Sequence, residues 1–379
     1  MTDPSLYDVA VIGGGLAGLT LSIQLAKAGY RIVLFEKEKY PFHKVCGEYI
    51  SLESRDFILS LGLDLEKLNL PDIKTLTVSS PYGKKIEHRL PLGGFGISRY
   101  MLDNELYEIA KQNGVKVYEE SKVNDVVFKD EIFTISTSGN TIRSKVAAGT
   151  FGKRSNLDVK WSRDFLRNKN NSHDNYLGIK YHVKANLPAD TISLHNFKDG
   201  YCGISMIEDN KFCLCYLTTA NNLRSSNNSI EEMEKNILCK NPFLRNIFST
   251  VEFLPGFPVT ISQISFDKKS QVQENVLMIG DAAGMITPLC GNGMSMALHG
   301  SKIAFRSIDR FLQKKITRKE MEEQYTDQWK YHFASRLRTG RIIQRFFGKE
   351  FLTNLFIFAV KPFPFIISRL IRSTHGNPF

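Results

Sequence analysis

Two glycine-bearing motifs, far apart in the chain, constrain its fold more than any other feature of the sequence. The first, Gly-Gly-Gly-Leu-Ala-Gly at residues 13–18, comes directly after the apolar run of residues 9–12. The second, Gly280-Asp281, follows another apolar run at residues 276–279. A glycine-rich turn between a buried strand and a helix is the phosphate-binding arrangement of dinucleotide-binding folds. We therefore expect an α/β domain built from two distant parts of the sequence.

The N-terminal motif carries the parts that a dinucleotide site requires. Residues 7–12 are short, β-branched and apolar, which predicts a strand buried on both faces. Gly13 permits the tight turn, Gly15 lets the backbone approach a pyrophosphate, and Gly18 lets the next helix pack closely on the strand. That helix, predicted over residues 16–28, also offers free N–H groups to the pyrophosphate at its N-terminus.

An acidic residue completes this half of the site. Glu36 ends the second predicted strand, at residues 31–35, and an acid at this place accepts the ribose hydroxyls of an adenosine. A bare glycine motif is a weak indication of a nucleotide site, whereas one set between strand, helix, strand and acid is a strong one. The predicted contacts are Gly13, Gly15, Leu16, Ala17, Gly18, Glu36 and Lys37.

The downstream motif distinguishes FAD from NAD. After Gly280-Asp281, a second glycine-rich turn, Gly291-Asn292-Gly293, opens a predicted helix. Here the chain resembles the para-hydroxybenzoate hydroxylase-like FAD superfamily and, within it, the geranylgeranyl reductase family. The resemblance implies that FAD is the cofactor, that Gly280 and Asp281 contact it with Asp281 binding the ribityl chain, and that the helix after Gly293 points its N-terminus at the flavin N1 and C2 carbonyl. A helix N-terminus stabilises the negative charge of a reduced flavin at that place.

Two further segments carry the resemblance. Residues 40–48 look like the loop that runs towards the flavin in geranylgeranyl reductases, which implies contacts from Lys44 and Cys46. Arg99 is similar to the arginine whose guanidinium approaches the FAD phosphates, a role that suits its fixed fork of donors. Two roles stay open for Cys46, a thiol that relays a proton beside the flavin or a buried structural thiol. From its loop position alone, Glu48 is expected to be a solvated charge.

One segment departs from the superfamily pattern. Residues 146–155 match the third motif of the superfamily, but Phe151 stands where that motif has an acid. The motif is associated with FAD and NADPH binding in the hydroxylases, so the change places direct nicotinamide use in doubt. NAD(P)H, ferredoxin and another reduced carrier protein all stay open as the electron donor.

The middle of the chain predicts a different kind of sheet. Strand-like runs at residues 176–185, 191–197, 201–208 and 211–218 are separated by Asn-, Asp- and Gly-bearing turns. They predict an antiparallel sheet over the reactive face of the flavin. By resemblance, Tyr201 and Cys202 belong to an element that lines the substrate cavity, while core or turn positions are the alternative for both.

These observations predict a mixed α/β fold in three parts. Residues 1–155 and 276–330 form a Rossmann-like FAD-binding domain, with part of residues 70–100 free to join the second domain. Residues 156–275 form the interleaved antiparallel substrate domain, and residues 331–379 a helical C-terminus. The scattered cysteines lack metal spacing, and no signal segment is apparent at the start, so we expect no metal site and a cytoplasmic protein.

The C-terminal segment is basic and apolar at once. Residues 331–379 hold eight Lys or Arg against a single acid, Glu350, interleaved with many aromatic and aliphatic residues. The apolar runs are too short for a transmembrane helix, and no motif for nucleic-acid recognition accompanies the charge. Two interpretations stay open, a helix that lies in an anionic membrane interface or a helix pair that packs on the FAD-binding domain.

The function expected from the resemblance is an FAD-dependent oxidoreductase. The flavin N5 would transfer a hydride to or from a C–C bond of a lipophilic or carrier-bound substrate, with Cys46 and Tyr201 as the catalytic candidates. The main alternative is a monooxygenase that acts through a flavin C4a-hydroperoxide. A third is a non-catalytic flavin-binding protein at a membrane surface. Halogenation is less expected, because the sequence has no Trp-x-Trp-x-Ile-Pro segment.

Overall fold

The computed structural model describes residues 6–166, 176–287, 291–346 and 349–379 of the 379-residue chain. The strands, in chain order, are β1 (Leu6–Ile12), β2 (Ile32–Phe35), β3 (Tyr49–Ser51), β4 (Asp72–Ser79), β5 (Lys85–Gly96), β6 (Lys116–Tyr118), β7 (Val123–Lys129), β8 (Ile132–Thr137), β9 (Thr141–Gly149), β10 (Tyr176–Lys184), β11 (Thr191–Phe197), β12 (Gly200–Met206), β13 (Phe212–Thr219), β14 (Glu252–Phe253), β15 (Val259–Ile264), β16 (Val272–Gln273) and β17 (Val276–Met278).

The helices frame two separate β-sheets. In chain order they are α1 (Leu16–Lys27), α2 (Arg55–Ser60), α3 (Arg99–Gln112), α4 (Asn156–Lys160), α5 (Ala220–Arg224), α6 (Ile230–Asn236), α7 (Pro242–Thr250), α8 (Gly293–Leu312), α9 (Arg318–Phe346), α10 (Glu350–Val360) and α11 (Pro364–Thr374). Short 3-10 turns lie at Leu52–Ser54, Leu65–Leu68, Asp164–Leu166, Glu208–Asn210, Leu238–Lys240 and Gly280–Ala282.

The first sheet contains the nucleotide-binding motif. Its strand order is β16-β17-β9-β1-β2-β6, and β7 and β8 extend it from β9. Strand β9 pairs in parallel with β1 on one side and with β17 on the other. Residues 9–12 of β1 are buried at consecutive positions, so both faces of the sheet are covered. The predicted α/β class with a Rossmann-like sheet is confirmed.

The second sheet is mixed, because an earlier strand joins the predicted antiparallel strands in parallel. Its order is β14-β10-β13-β12-β11-β4-β5-β3, with β15 beside β10. The predicted antiparallel pairs among β10 to β13 are present, but β4 joins β11 in parallel. Without β4, strand β11 would be an edge with unpaired backbone groups. Strands β3, β4 and β5 therefore bring parts of residues 49–96 into this sheet.

The two faces of the second sheet have different neighbours. Side chains alternate along each strand, and on one face Ile179 and Leu214 pack with Met233 of α6 and Leu244 of α7. The opposite face, which carries Tyr201, lines a large cavity. Cys202 points into the helix-covered core. Of the two positions left open for it, the structure therefore has the core position, because neighbouring strand residues face opposite ways.

The C-terminal helices pack on the second sheet. Ile357 and Val360 of α10 and Ile367 and Ile371 of α11 form a core with side chains of β4 and β5 such as Val78. The predicted helical C-terminus is confirmed. Of the two interpretations left open for it, packing on the FAD-binding domain does not apply to these two helices, which pack on the second sheet. Helix α9 does pack on the first sheet, since its buried aromatic side chains join the core of that sheet. Helices α10 and α11 pack on the second sheet because β4 and β5 present an apolar face there, which the two helices cover.

Acid should destabilise the fold through His195. This side chain is buried in β11, where its Nδ1 is 2.8 Å from the hydroxyl of Ser79 and its ring stacks on Phe243, and burial lowers its pKa to about 4. The unfolded chain protonates it near pH 6.5, so the unfolded state binds more protons between pH 6.5 and pH 4. The free energy of unfolding should therefore fall by about 3 kcal/mol for this group alone as the pH falls through that window.

Denaturant unfolding at pH 7 and pH 4 measures this loss. His195→Gln, which stays neutral throughout, should show a smaller difference between the two pH values than the parent. An equal difference in parent and variant would contradict the assignment. The same pair of measurements on His43→Gln can be compared with those on His195→Gln, because burial lowers the pKa of His43 to about 4 as well.

Candidate active site

A cavity of about 1590 Å³ is lined by residues of both sheets. Its wall contains the carboxyl ends of β1 and β2, the turn after β17, the N-terminal ends of α1 and α8, and one face of the second sheet. Pockets for one drug-sized ligand measure about 300–1,000 Å³, so this cavity has room for a cofactor and a substrate together. The predicted site residues on its wall are Gly13, Gly15, Leu16, Ala17, Glu36, Lys37, Lys44, Cys46, Arg99, Tyr201, Gly280, Asp281, Gly291 and Gly293.

The glycine-rich turn forms an open cradle for an anion. Gly13 has φ +111°, and a Cβ there would lie 2.6 Å from the carbonyl oxygen of Thr150. A Cβ on Gly18 would collide with the carbonyl oxygen of Gly13, so Gly18 is required for close helix–strand packing and does not line the cavity. A Cβ on Gly15 would meet nothing closer than the Arg99 guanidinium at 3.7 Å and the Lys44 ammonium at 3.8 Å. Gly15 therefore faces a space bordered by two cations, which fits a pyrophosphate.

Asp103 holds these two cations in place. Arg99 donates to both carboxylate oxygens of Asp103 at 2.7 Å, and Lys44 Nζ lies 3.0 Å from the same group. Burial acts to raise the pKa of Asp103, but the two positive charges outweigh it and keep the pKa below its usual value. The carboxylate thus neutralises part of the charge while it orients both donors towards the Gly15 cradle.

Glu36 is fixed by the backbone around it. Its carboxylate accepts hydrogen bonds from the N–H groups of Gly14, Lys37 and Glu38 at 2.9, 2.8 and 3.1 Å. A carboxylate has about four acceptor positions, so one stays available for the hydroxyls of an adenosine ribose. The side chain of Lys37 is largely exposed and pairs with Glu38.

Two buried cations hold the Gly280-Asp281 turn against the cavity. Lys269 Nζ donates to the carbonyl oxygen of Asp281 at 2.9 Å, and Arg163 donates to the carbonyl oxygen of Ala282 at 3.1 Å. Gly280 has φ +65°, which explains the glycine at this turn. Burial raises the pKa of the Asp281 carboxyl group, and the group lines the cavity where the resemblance implies a ribityl chain.

The N-terminus of α8 also meets the cavity. Gly291 and Gly293 line it, whereas Asn292 does not, because this buried side chain donates to the carbonyl oxygen of Thr374 at 2.8 Å. Asn292 therefore joins the start of α8 to the end of α11. Cys290, which precedes this turn, lies outside the described residues.

Glu48 is buried in an ion-paired cluster, so its prediction as a solvated charge is wrong. Its carboxylate accepts from Lys180 Nζ at 2.7 Å, His182 Nε2 at 2.6 Å and the N–H of Arg99 at 2.9 Å. Burial alone would raise the pKa of Glu48, but the His182 hydrogen bond and the Lys180 charge outweigh burial and lower it. Local sequence held no signal for this cluster, since both partners lie on β10, far along the chain.

The same cluster contains three side chains of metal-binding type. Ligand atoms of Glu48, His182 and Cys213 lie within 4.8 Å of one another. The Lys180 ammonium on the same carboxylate opposes a cation there by charge repulsion. The cluster is thus better suited to joining the 40–48 loop to the second sheet, and the absence of a metal stays a prediction.

Cys46 lies on the cavity wall with its thiol protonated. Burial raises the pKa of this thiol, so it holds its proton at neutral pH. The thiol of Cys213 donates to the Cys46 carbonyl oxygen at 3.3 Å, which ties the loop to β13. Tyr201 lies on the opposite part of the wall, packed with Leu217 and Ile264.

Three Lys or Arg residues of the wall were not predicted from the sequence. Lys122 lies in the loop between β6 and β7 and has no local signal, whereas Lys153 and Arg154 follow Phe151 in the segment already singled out. Burial lowers the pKa of Lys153 to about 8. Phe151 also lines the cavity, where an acid stands in the superfamily motif.

A larger part of the cavity that was not predicted from the sequence is an apolar arm. Aliphatic side chains from the second sheet and from α11 form it, and we call this set the apolar arm: Leu76, Val78, Ile86, Leu90, Ile192, Leu194, Ile367 and Ile371. Alternation along residues 76–78 and 192–194 was the available signal. Sequence alone did not show that these strands and α11 come together at one place.

Comparison with known families identifies the cofactor. The model of the family described as an FAD binding domain matches residues 6–315. The protein belongs to this family. FAD is therefore its cofactor, and the cradle at Gly15, the cations beside it and the α8 N-terminus supply groups that fit it. The resemblance to the superfamily and to geranylgeranyl reductases is confirmed.

Several relatives share most of their length with this flavoprotein. It is 24% identical to conditioned medium factor receptor 1 of Dictyostelium discoideum, over 88% of this chain and 69% of that protein. It is also 24% identical to digeranylgeranylglycerophospholipid reductase of Methanococcus vannielii, over 86% of this chain and 82% of the reductase. Among solved structures, the flavin-dependent brominase Bmp2 matches with a TM-score of 0.79 at 20% identity, over 97% of this chain and 93% of the brominase.

The relatives differ in their chemistry. They include a carrier-protein-linked chlorinase and a kynurenine 3-monooxygenase beside the reductase. Family membership thus fixes the fold and the cofactor, and the reaction depends on the substrate half of the cavity. Since halogenases are among the relatives, the expectation against halogenation stays a prediction.

Gly15→Val should abolish FAD binding without unfolding the protein. The new side chain would enter the open space beside Arg99 and Lys44, where a phosphate binds, and would meet no backbone. We expect at least a tenfold loss of bound FAD, which corresponds to about 1.4 kcal/mol or more, measured from flavin absorbance after purification. Gly139→Val, at a turn where a Cβ also meets nothing, is the control. Full FAD retention by Gly15→Val would contradict the cradle.

Proposed function

We propose that this flavoprotein reduces or dehydrogenates a C–C bond of a lipophilic substrate. The apolar arm supports this proposal most directly. Its aliphatic side chains continue from the FAD half of the cavity to the inner side of α11. A substrate that fills the arm must therefore present hydrocarbon over most of its length.

Energetics favour a hydrocarbon chain in this arm over a polar substrate. Each buried methylene stabilises binding by about 0.8 kcal/mol. A polar group buried there without a hydrogen-bond partner would cost about 2–7 kcal/mol. The loss of translational and rotational freedom on binding costs about 4–15 kcal/mol. About five methylenes or methyls of an isoprenoid or acyl chain would therefore offset the low end of that range, and about twenty would outweigh the high end.

The reacting end of the substrate needs a proton as well as a hydride. FAD, when bound, supplies the hydride chemistry. Cys46 holds a proton on its Sγ at neutral pH, because burial raises the pKa of the thiol. Its place on the loop that also carries Lys44 supports a role as proton donor. Tyr201, on the facing sheet, is the second candidate.

The remaining parts of the proposal concern the partners. A carrier-bound acyl chain would fill the apolar arm as well as a free lipid would. NAD(P)H and a reduced carrier protein both remain as electron donors, and the Phe151 substitution favours the carrier. A cytoplasmic location also stays a prediction.

Reaction with oxygen separates a reductase from a monooxygenase. The purified protein would be reduced anaerobically with dithionite and mixed with oxygenated buffer in a stopped-flow spectrometer. We expect direct reoxidation without a spectral transient. A transient oxygen adduct that becomes longer-lived with substrate would contradict the reductase proposal and support the monooxygenase.

Anaerobic mixing of the reduced protein with unsaturated lipids separates an enzyme from the non-catalytic alternative. If no unsaturated lipid reoxidises the flavin, the non-catalytic alternative is favoured.

Cys46→Ser should slow the reaction with substrate. With a phospholipid that carries unsaturated isoprenoid chains, the rate of anaerobic flavin reoxidation should fall about 100-fold, the usual order for loss of a proton donor. The KM should change little, because the apolar arm is untouched. Cys239→Ser is the control, since Cys239 lies outside the cavity lining. A rate equal to that of the parent would assign Cys46 a structural role.

A further inference from the structure

The outer face of α10 and α11 exposes five large apolar side chains. They are Phe351 (75% exposed), Leu355 (51%), Phe358 (64%), Phe363 (48%) and Phe365 (68%), and we call them the aromatic patch. Phe351, Leu355 and Phe358 are spaced i, i+4, i+7 and so share one face of α10. Isolated exposed apolar residues are ordinary, whereas a contiguous group marks an interaction site.

The opposite face of the same helices is turned towards the second sheet. Ile357 and Val360 of α10 and Ile367 and Ile371 of α11 are buried against the second sheet. Both helices are therefore folded parts of the protein. The outer face of α10 is apolar like its inner face, and α11 adds the exposed Phe365 near its N-terminal end. An ordinary surface helix would carry polar residues on its outer face, so the aromatic patch requires an apolar environment.

The charges around the aromatic patch indicate the kind of environment. Lys349 and Lys361 flank the two ends of α10, Arg369 and Arg372 lie on α11, and all four are exposed. Lys84 of the β4–β5 turn lies over the Phe358 ring at 5.1 Å. Glu350 is the single acid between residues 349 and 379. Aromatic side chains flanked by basic ones match the headgroup region of an anionic lipid layer.

The length and the shape of α10 and α11 bear on how they could meet a membrane. Among the described residues no single helix is long and apolar enough to span, and the two helices meet the hydropathy criterion only together, across a 120° bend. Each has 11 residues, so each is about 16 Å long against a hydrocarbon core of about 30 Å.

We propose that the aromatic patch docks on an anionic membrane surface, and that the lipophilic substrate enters the apolar arm from that membrane. The entry of the substrate from the membrane rests on the proposed function. Ile367 and Ile371 of α11 belong to the apolar arm on their inner side, while Phe363 and Phe365 belong to the aromatic patch. One helix thus separates the substrate space from the lipid.

Vesicle sedimentation with the full FAD-loaded protein tests the docking. Vesicles of phosphatidylcholine would be compared with vesicles of equal parts phosphatidylcholine and phosphatidylglycerol. We expect at least tenfold stronger partitioning onto the anionic vesicles, reduced by high salt. The double variant Phe358→Glu, Phe365→Glu should lose at least tenfold of that partitioning. Both changed side chains are exposed, so flavin absorbance and thermal stability should not change.

The control variant is Val127→Glu on β7. Val127 is 50% exposed and lies in the first sheet, so this substitution places one carboxylate on an exposed apolar site outside the aromatic patch. The control protein should bind vesicles like the parent. Equal binding by the double variant and the parent would overturn the proposal. Failure of the parent to bind either kind of vesicle would also overturn the proposal. A parent that is a dimer, when the double variant is a monomer, would overturn it as well, since a second copy would then cover the aromatic patch.

The docking and the proposed function fail in different ways. Vesicle binding is measured without turnover, so binding with no lipid-dependent reoxidation would refute the function and keep the docking. Reoxidation of the double variant by detergent-dispersed lipid at the parent rate, but at least tenfold slower with lipid in anionic vesicles, would support entry from the membrane. Equal slowing in both preparations would overturn that entry route.

Discussion

The pairing of β9 with two parallel neighbours organises the molecule. On one side β9 holds β1, which ends in the Gly13 turn, and on the other it holds β17, which ends in the Gly280 turn. Parallel strands place their carboxyl ends at the same edge, so the two turns meet although most of the chain separates them. The FAD cavity exists because of this pairing. The strands of the second sheet lie between β1 and β17 in the sequence, and this sheet closes the cavity from the other side.

The buried Glu48 cluster joins the two halves of the cavity. Glu48 lies on the loop that carries Lys44 and Cys46 towards the cofactor, and Lys180 and His182 lie on the facing sheet. A buried ion pair adds little net stability, but removal of one partner costs about 3–5 kcal/mol. The cluster therefore fixes the loop against the sheet. Asp103 fixes Arg99 and Lys44 in the same way beside the Gly15 cradle.

Local sequence signals predicted the parts of the structure that depend on local physics. The strand, turn and helix around Gly13, the turn at Gly280 and the antiparallel strands from residue 176 to 219 needed only periodicity and glycine spacing. The parallel joining of β4 to β11, the partners of Glu48 and the packing of α10 and α11 on β4 and β5 depend on which distant surfaces meet. Periodicity reports that a face is apolar, but not which other face covers it. The apolar arm was missed for this reason, because two strands and a distant helix form it.

In the function we propose, one continuous cavity holds FAD at one end and a hydrocarbon chain at the other. A crystal structure with FAD and a long-chain unsaturated lipid would show whether it does. We expect electron density for the pyrophosphate beside Gly15 and Arg99, and for the lipid chain along Leu76, Val78 and Ile367 with its unsaturated end next to the flavin. A lipid bound elsewhere, with the apolar arm filled by ordered water or by polar ligand groups, would contradict it.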